Sequence, residues 1–350
     1  MTDNLAPSLA ALQQTAGPRP LPMFLELVRR AGESDPELMR AALVGLAIYQ
    51  RAPRHVAQQS RSIVARTDGA GLRDCGGSGR PIVLVPSLIN PPGILDLDAG
   101  SSLSEALTSS GRVFLLDWGA ARDRMTLDVS AHVRDLLLPL LRSLGEPVIL
   151  VGYCLGGTMA LAAAALDRRI AAVATLAAPW CFSAYPPEAR SALQQLWHRA
   201  KPIAKGLGVL PIEVLQAAFW SLDPHRVVAK FARLATTDPN GLERLRFIAL
   251  EDWANTGEPL PLPAAEELLE ELFGADRSGS GEWLGGGLPA CPTLHVTATG
   301  DRITPANTAA ASGEQVACNA GHVGMIVGRS APTTLHAPLR QWLEALPPRG

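Results

Sequence analysis

Residues 147–158 read Pro147-Val-Ile-Leu-Val-Gly-Tyr-Cys154-Leu-Gly-Gly-Thr158. The apolar run up to Val151 is rich in β-branched residues, as expected of a strand buried on both faces. Small residues at helical spacing follow over 158–166, so Cys154 sits at a strand-to-helix turn. A central nucleophile flanked by glycines two residues away on each side has a mechanical reason. The turn is sharp, and backbones approach too closely there for a side chain. A thiol at a helix N-terminus also faces the positive end of the helix dipole, which favours thiolate. A glycine-rich turn holding a buried structural cysteine is the plainer alternative, and the strand before and helix after argue against it.

The same rhythm extends to both sides. Pro81-Ile-Val-Leu-Val-Pro86 and Arg112-Val-Phe-Leu-Leu116 read as strands, as do Ile170–Leu176, Thr293-Leu-His-Val-Thr297 and Gln315-Val-Ala-Cys318. Ser102-Leu-Ser-Glu105 resembles a capping box opening a helix that Gly111 closes. Residues 128–144 are helical by period with a kink expected at Pro139. A last helix over 334–346 carries Leu335, Leu339, Trp342 and Leu343 on one stripe. Alternating strands and helices of this length predict an α/β fold, with a mostly parallel sheet covered by helices on both faces. Residues 21–50 read as two helices around a polar break at 32–36, with 38–49 facing a core. Residues 181–285 are mainly helical in pattern, notably 212–220, 225–234 and 264–273. The expected organisation is therefore a helical segment over 1–60, a core over 61–180 and 286–350, and a helical cap inserted over 181–285.

Composition bounds what such a fold can do. The 350 residues carry 31 Lys and Arg against 33 Asp and Glu, a formal net charge of -2. That balance gives no electrostatic reason to bind nucleic acid or an anionic membrane. Five cysteines at irregular spacing indicate neither a disulfide framework nor a zinc site, and no ligand cluster for a metal stands out. No apolar run approaches the ~18 residues of a membrane span. The opening Met1-Thr-Asp-Asn lacks the basic and apolar regions of a signal peptide, so a cytoplasmic protein is expected.

A cysteine elbow requires an acid and a histidine later in the chain, in that order. After the strand at 293–297 comes Thr299-Gly-Asp301-Arg-Ile-Thr-Pro305, which puts a carboxylate at a strand's C-terminal end. After the strand at 315–318 comes Asn319-Ala-Gly-His322-Val-Gly324. His132, His198, His225 and His336 fall in expected helices and His295 in a strand, so they read as structural. The assignment is Cys154 as nucleophile, His322 as the base that takes and returns its proton, and Asp301 as the group orienting the imidazole. An oxyanion needs two backbone donors. One is the N–H of Leu155, and the other comes from the loop Ser87-Leu-Ile-Asn90. Thiolate chemistry suits an acyl group arriving as a thioester.

These residues resemble the polyhydroxyalkanoate synthases, which have an α/β-hydrolase core and polymerise 3-hydroxyacyl-CoA. Gly152-Tyr-Cys-Leu-Gly-Gly-Thr158 is similar to that family's modified lipase box. Ile89-Asn90 with Ile94-Leu-Asp-Leu97 is similar to its first-strand loop, and Phe114-Leu-Leu-Asp-Trp-Gly119 with Asp123-Arg124 to the Asp-Trp-Gly segment of the shorter synthases. Glu251-Asp-Trp253 and Gly321-His322 also match. The resemblance implies Cys154 as the acyl-carrying thiol, His322 as its base and Asp301 as the triad acid, which would also help activate the incoming hydroxyl. It implies Ile89 as the second oxyanion N–H, with Leu88 the alternative. It further implies acyl-CoA as substrate rather than cofactor, a growing polyester chain, a partner subunit or homodimer, and a place at the polyester granule surface. The family's Lys-Tyr-Tyr stands here as Pro91-Pro92-Gly93, and the N-terminal region is short. The elbow also resembles the dienelactone hydrolases, but those have no large cap between nucleophile and acid. A cysteine thioesterase or esterase is the enzymatic alternative, and a non-catalytic granule-associated binding protein the alternative outside enzymes.

Overall fold

A computed structural model describes residues 17–54, 61–98 and 100–347. The first residues, on which the secretion reading rests, lie outside these. The apolar runs become the middle of an eight-stranded sheet. Its strands are β1 (Ile63–Thr67), β2 (Ala70–Gly76), β3 (Pro81–Val85), β4 (Arg112–Asp117), β5 (Val148–Tyr153) and β6 (Ile170–Leu176). Two-residue strands β7 (Val209–Leu210) and β8 (Leu260–Pro261) pair only with each other. The sheet resumes with β9 (Thr293–Ala298) and β10 (Glu314–Cys318). Its order is β1-β2-β4-β3-β5-β6-β9-β10, antiparallel where β2 meets β1 and β4, and parallel elsewhere. Every residue of β3 and β5 is buried, and such runs form strands because both faces are covered. This is the α/β-hydrolase architecture.

Three local differences from the sequence expectation have physical causes. The hairpin β1–β2 joins Thr67 to Ala70 through Asp68-Gly69, a pair of residues suited to tight hairpin turns. Its strand β1 is only half-buried, so it has no apolar run to announce it. The helix expected from Ser102 to Gly111 is a single turn, Leu103–Ala106, followed by turns. Ser102 does cap it by accepting from the Glu105 N–H at 2.9 Å. However, the Thr108 hydroxyl donates to the Glu105 carbonyl at 2.8 Å, and such bonds compete with helix continuation. Around Pro139 the helix widens. His132–Leu137 forms a π-turn in which the Leu138 N–H reaches the Val133 carbonyl, just before the residue that has no N–H to give.

The chain divides into two compact units, Ala57–Val214 with Gly257–Gly350, and Met1–Val56 with Leu215–Thr256. The first unit holds the sheet. The second is helical: Leu21–Ser34 and Pro36–Arg51, broken at Asp35, share a core with Pro224–Leu234 and Leu242–Asn255. Phe24, Leu46, Tyr49, Trp220 and Phe231 are its centre. Gly45 is required there, because a Cβ at that position would lie 1.9 Å from the Phe231 carbonyl oxygen. Tyr49 donates to Asp252 at 2.6 Å, and Lys230 pairs with Glu251 at 2.6 Å. Glu251-Asp-Trp253 thus supplies carboxylates that hold these helices together.

Candidate active site

The site forms at the C-terminal ends of β5, β9 and β10, where parallel sheets leave a crevice for ligands. β5 ends at Tyr153, and the helix Leu155–Leu166 begins directly after Cys154. To turn that sharply, Cys154 takes φ 56° and ψ −131°, a strained conformation for a residue with a Cβ. Its N–H still reaches the Leu176 carbonyl of β6 at 2.9 Å, and its own carbonyl accepts from Gly157 at 2.9 Å. The glycines make the turn sterically feasible. A Cβ on Gly152 would lie 2.4 Å from the Gly157 Cα. One on Gly156 would lie 2.2 Å from the Val85 carbonyl oxygen and 2.5 Å from that of Pro86.

Asp301 and His322 follow β9 and β10. His322 Nδ1 lies 2.7 Å from Asp301 Oδ2, and the Asp301 side chain is wholly buried. The carboxylate is held from the other side as well. Its Oδ1 accepts the N–H groups of Ile303 and Thr304 at 2.8 and 3.0 Å, and its Oδ2 accepts the Thr304 hydroxyl at 2.6 Å. Burial would raise the Asp301 pKa, but the bond and charge of His322, with the Thr304 bonds, hold it below the usual carboxylate range. Nδ1 is engaged with Asp301, leaving Nε2 as the nitrogen able to serve the thiol. Burial lowers the His322 pKa, yet the charge of Cys154 and hydrogen bonds with Asp301 and Cys154 outweigh it and hold it at about 10. The Tyr153 ring packs on the imidazole, 5.0 Å between centroids, and its hydroxyl donates to the His322 carbonyl at 3.4 Å.

The three residues chosen from the sequence are thus neighbours. Leu155 opens the helix after Cys154, where backbone N–H groups have no partner within the helix. The N–H of Ile89 is engaged by the Ser87 hydroxyl at 3.3 Å, a long bond that an oxyanion could replace. Thr304 is a site residue that the motif reading does not contain. Its hydroxyl lies 3.1 Å from His322 Nδ1 as well as on Asp301, and the spacing Asp301-x-x-Thr304, typical of a carboxylate capping its own loop, is the signal for it. Two other buried histidines are occupied elsewhere. His132 takes a hydrogen bond from Arg124 at 2.7 Å, and His295 takes one from Thr175 at 2.8 Å. Among the described residues no cluster of three His, Cys, Asp or Glu could hold a metal ion, and no helix is long and apolar enough to cross a membrane.

The sheet order and the strand-to-helix turn define a class, and comparison with known families agrees with it. The model of the alpha/beta hydrolase family matches residues 82–335, and this chain belongs to that family. Within it, the chain is similar to the poly(3-hydroxyalkanoate) polymerase subunit PhaC of Haloferax mediterranei, at 25% identity over 285 residues, 75% of this chain and 58% of that protein. The PhaC subunit of Synechocystis is 24% identical over 292 residues, 75% of this chain and 77% of that protein. The matched region spans less than two thirds of the Haloferax protein and of its Haloarcula marismortui counterpart, 58% and 60%. Similar solved structures include a monoacylglycerol lipase of Paleococcus ferrophilus, at 17% identity and TM-score 0.49, over 79% of this chain and 98% of that one. Another is epoxide hydrolase A of Mycobacterium thermoresistibile, at 19% identity and TM-score 0.49, over 83% of this chain and 100% of that one.

Proposed function

We propose that this chain is a polyhydroxyalkanoate synthase-like acyltransferase that links 3-hydroxyacyl units from CoA thioesters through an acyl group carried on Cys154. The observation that carries the reading is that His322, bonded to the buried Asp301 at 2.7 Å, packs on the Tyr153 ring immediately before Cys154 at its strained turn. The Cys154 thiolate attacks the thioester carbonyl, and the oxyanion is held by the N–H groups of Leu155 and Ile89. Collapse expels the CoA thiolate, which takes the proton from the His322 imidazolium, and CoA leaves as the free thiol. The 3-hydroxyl of another unit then attacks the Cys154 thioester. His322 takes the hydroxyl proton as the ester forms, and Cys154 leaves as thiolate, restoring the ion pair. Asp301 holds Nδ1–H throughout, so that Nε2 carries each proton. The relatives named as polymerase subunits support the substrate class and a partner subunit.

Incubation with 3-hydroxybutyryl-CoA tests this. Free CoA together with insoluble polymer is the expected result. Free CoA with only soluble 3-hydroxybutyrate would replace the synthase by a hydrolase using the same residues. Cys154→Ala is expected to lower CoA release by more than about 10⁴-fold; most activity surviving that change would remove the thiol from the mechanism.

A further inference from the structure

We propose that Trp118 is a positioning residue for the oxyanion site, holding the Pro86–Ile89 loop against the nucleophile turn through its indole N–H. Trp118 is buried just past the end of β4, and its Nε1–H donates to the Pro86 carbonyl at 3.0 Å. That carbonyl is the one a Cβ on Gly156 would approach to 2.5 Å. The bond therefore fixes the backbone beside the helix that follows Cys154, one residue past its closest approach at Val85. One residue later Ser87 engages the Ile89 N–H, so a displacement of Pro86 carries the second oxyanion donor with it. A proline cannot be anchored through its own nitrogen, which leaves its carbonyl as the handle.

The indole is in turn fixed from behind. The His132 ring packs edge-on against it, 5.7 Å between centroids. His132 Nδ1–H donates to the Asp128 carbonyl at 2.6 Å, and its Nε2 accepts from Arg124 at 2.7 Å. Arg124 is only 2% exposed. This gives Trp118 and Arg124, in the segment Asp117-Trp-Gly-Ala-Ala-Arg-Asp-Arg124, a purpose beyond filling the core: an aromatic lever, braced by a neutral histidine, whose polar tip sets the loop.

The inference rests on the acyl-transfer reading, so its test includes a readout that does not depend on the polyester. Trp118→Phe keeps a ring against His132 and removes the N–H together with the fused second ring, so an alkylation readout is needed to separate loss of the bond from loss of packing. With 3-hydroxybutyryl-CoA, kcat is expected to fall roughly 10- to 100-fold with KM within about twofold, as for a misplaced transition-state donor. Alkylation of Cys154 by iodoacetamide, followed on its peptide, is expected to keep the wild-type rate because no oxyanion forms in that reaction. An unchanged kcat overturns the proposal. So does a parallel fall in alkylation, which would report a deformed nucleophile turn. The burst of nitrophenolate from p-nitrophenyl acetate reads acylation from a simple acyl donor. Wild-type protein that gives this burst but releases no CoA overturns the polyester reading alone, and the burst rates then decide the role of Trp118. Neither signal from the wild type overturns both.

Discussion

Around Cys154 the turn depends on close backbone approaches that only glycine permits, whereas around His322 the arrangement depends on side-chain hydrogen bonds. On the first side, Gly152, Gly156 and Gly157 allow main chains to pass where no side chain fits. On the second, two loops meet through Asp301, which accepts from Ile303, Thr304 and His322. The difference matters because steric closeness fails all at once, while a bonded network loses members one at a time. Substitutions on the two sides should therefore separate loss of fold from loss of rate.

The largest effect is expected from Gly156→Val. The new side chain has no room beside the Val85 and Pro86 carbonyls, so the turn must open, at about 3 kcal/mol or more for overpacking against immovable backbone. Thermal unfolding measures this, and an unaltered Tm would break the steric half of the comparison. Next is Asp301→Asn, expected to lower the rate by about 10³- to 10⁴-fold with Tm changed by a few degrees. It also has a pH signature. The folded pKa of His322 is raised above its ordinary 6.5 to about 10. Its contribution to stability is therefore full below 6.5 and is lost as pH rises through about 10. Removing the Asp301 charge lowers that upper bound, so the alkaline fall in stability should be smaller and should end at lower pH. Urea unfolding between pH 7 and 10.5 checks it; coincident curves would detach Asp301 from the imidazolium. The smallest effect belongs to Thr304→Val, which removes one hydroxyl bond from a carboxylate that keeps others. A loss of about tenfold in kcat, the equivalent of roughly one hydrogen bond, with KM unchanged, would sharpen the picture of a network degraded by steps.

Much of this was legible in the residues themselves, for the same physical reason. β3, β5 and β6 carry apolar runs because the fold buries them on both sides, and glycines at 152 and 156 mark a turn whose crowding is local. Asp301 and His322 are readable as loop residues after strands, in the order that a cysteine elbow demands. Thr304 is marked only by its spacing from Asp301, since a hydroxyl acquires its role only when Asp301 folds back on its own loop. The hairpin β1–β2 is hidden because its outer strand alternates between exposed and half-buried positions, and Asp68-Gly69 is its one strong mark. Nor does any local pattern tell that Phe24 and Tyr49 share a core with Phe231, because that partnership is made across nearly two hundred residues of chain.

The unusual dihedrals at position 154 are imposed from outside, by the Leu176 and Gly157 bonds and by neighbouring main chains, and not by sulfur. The turn is consequently a socket, indifferent to which small nucleophile it presents. Exchanging thiol for hydroxyl there should retune reactivity while leaving the scaffold untouched, whereas a β-branched occupant should be rejected on shape before its chemistry is ever consulted.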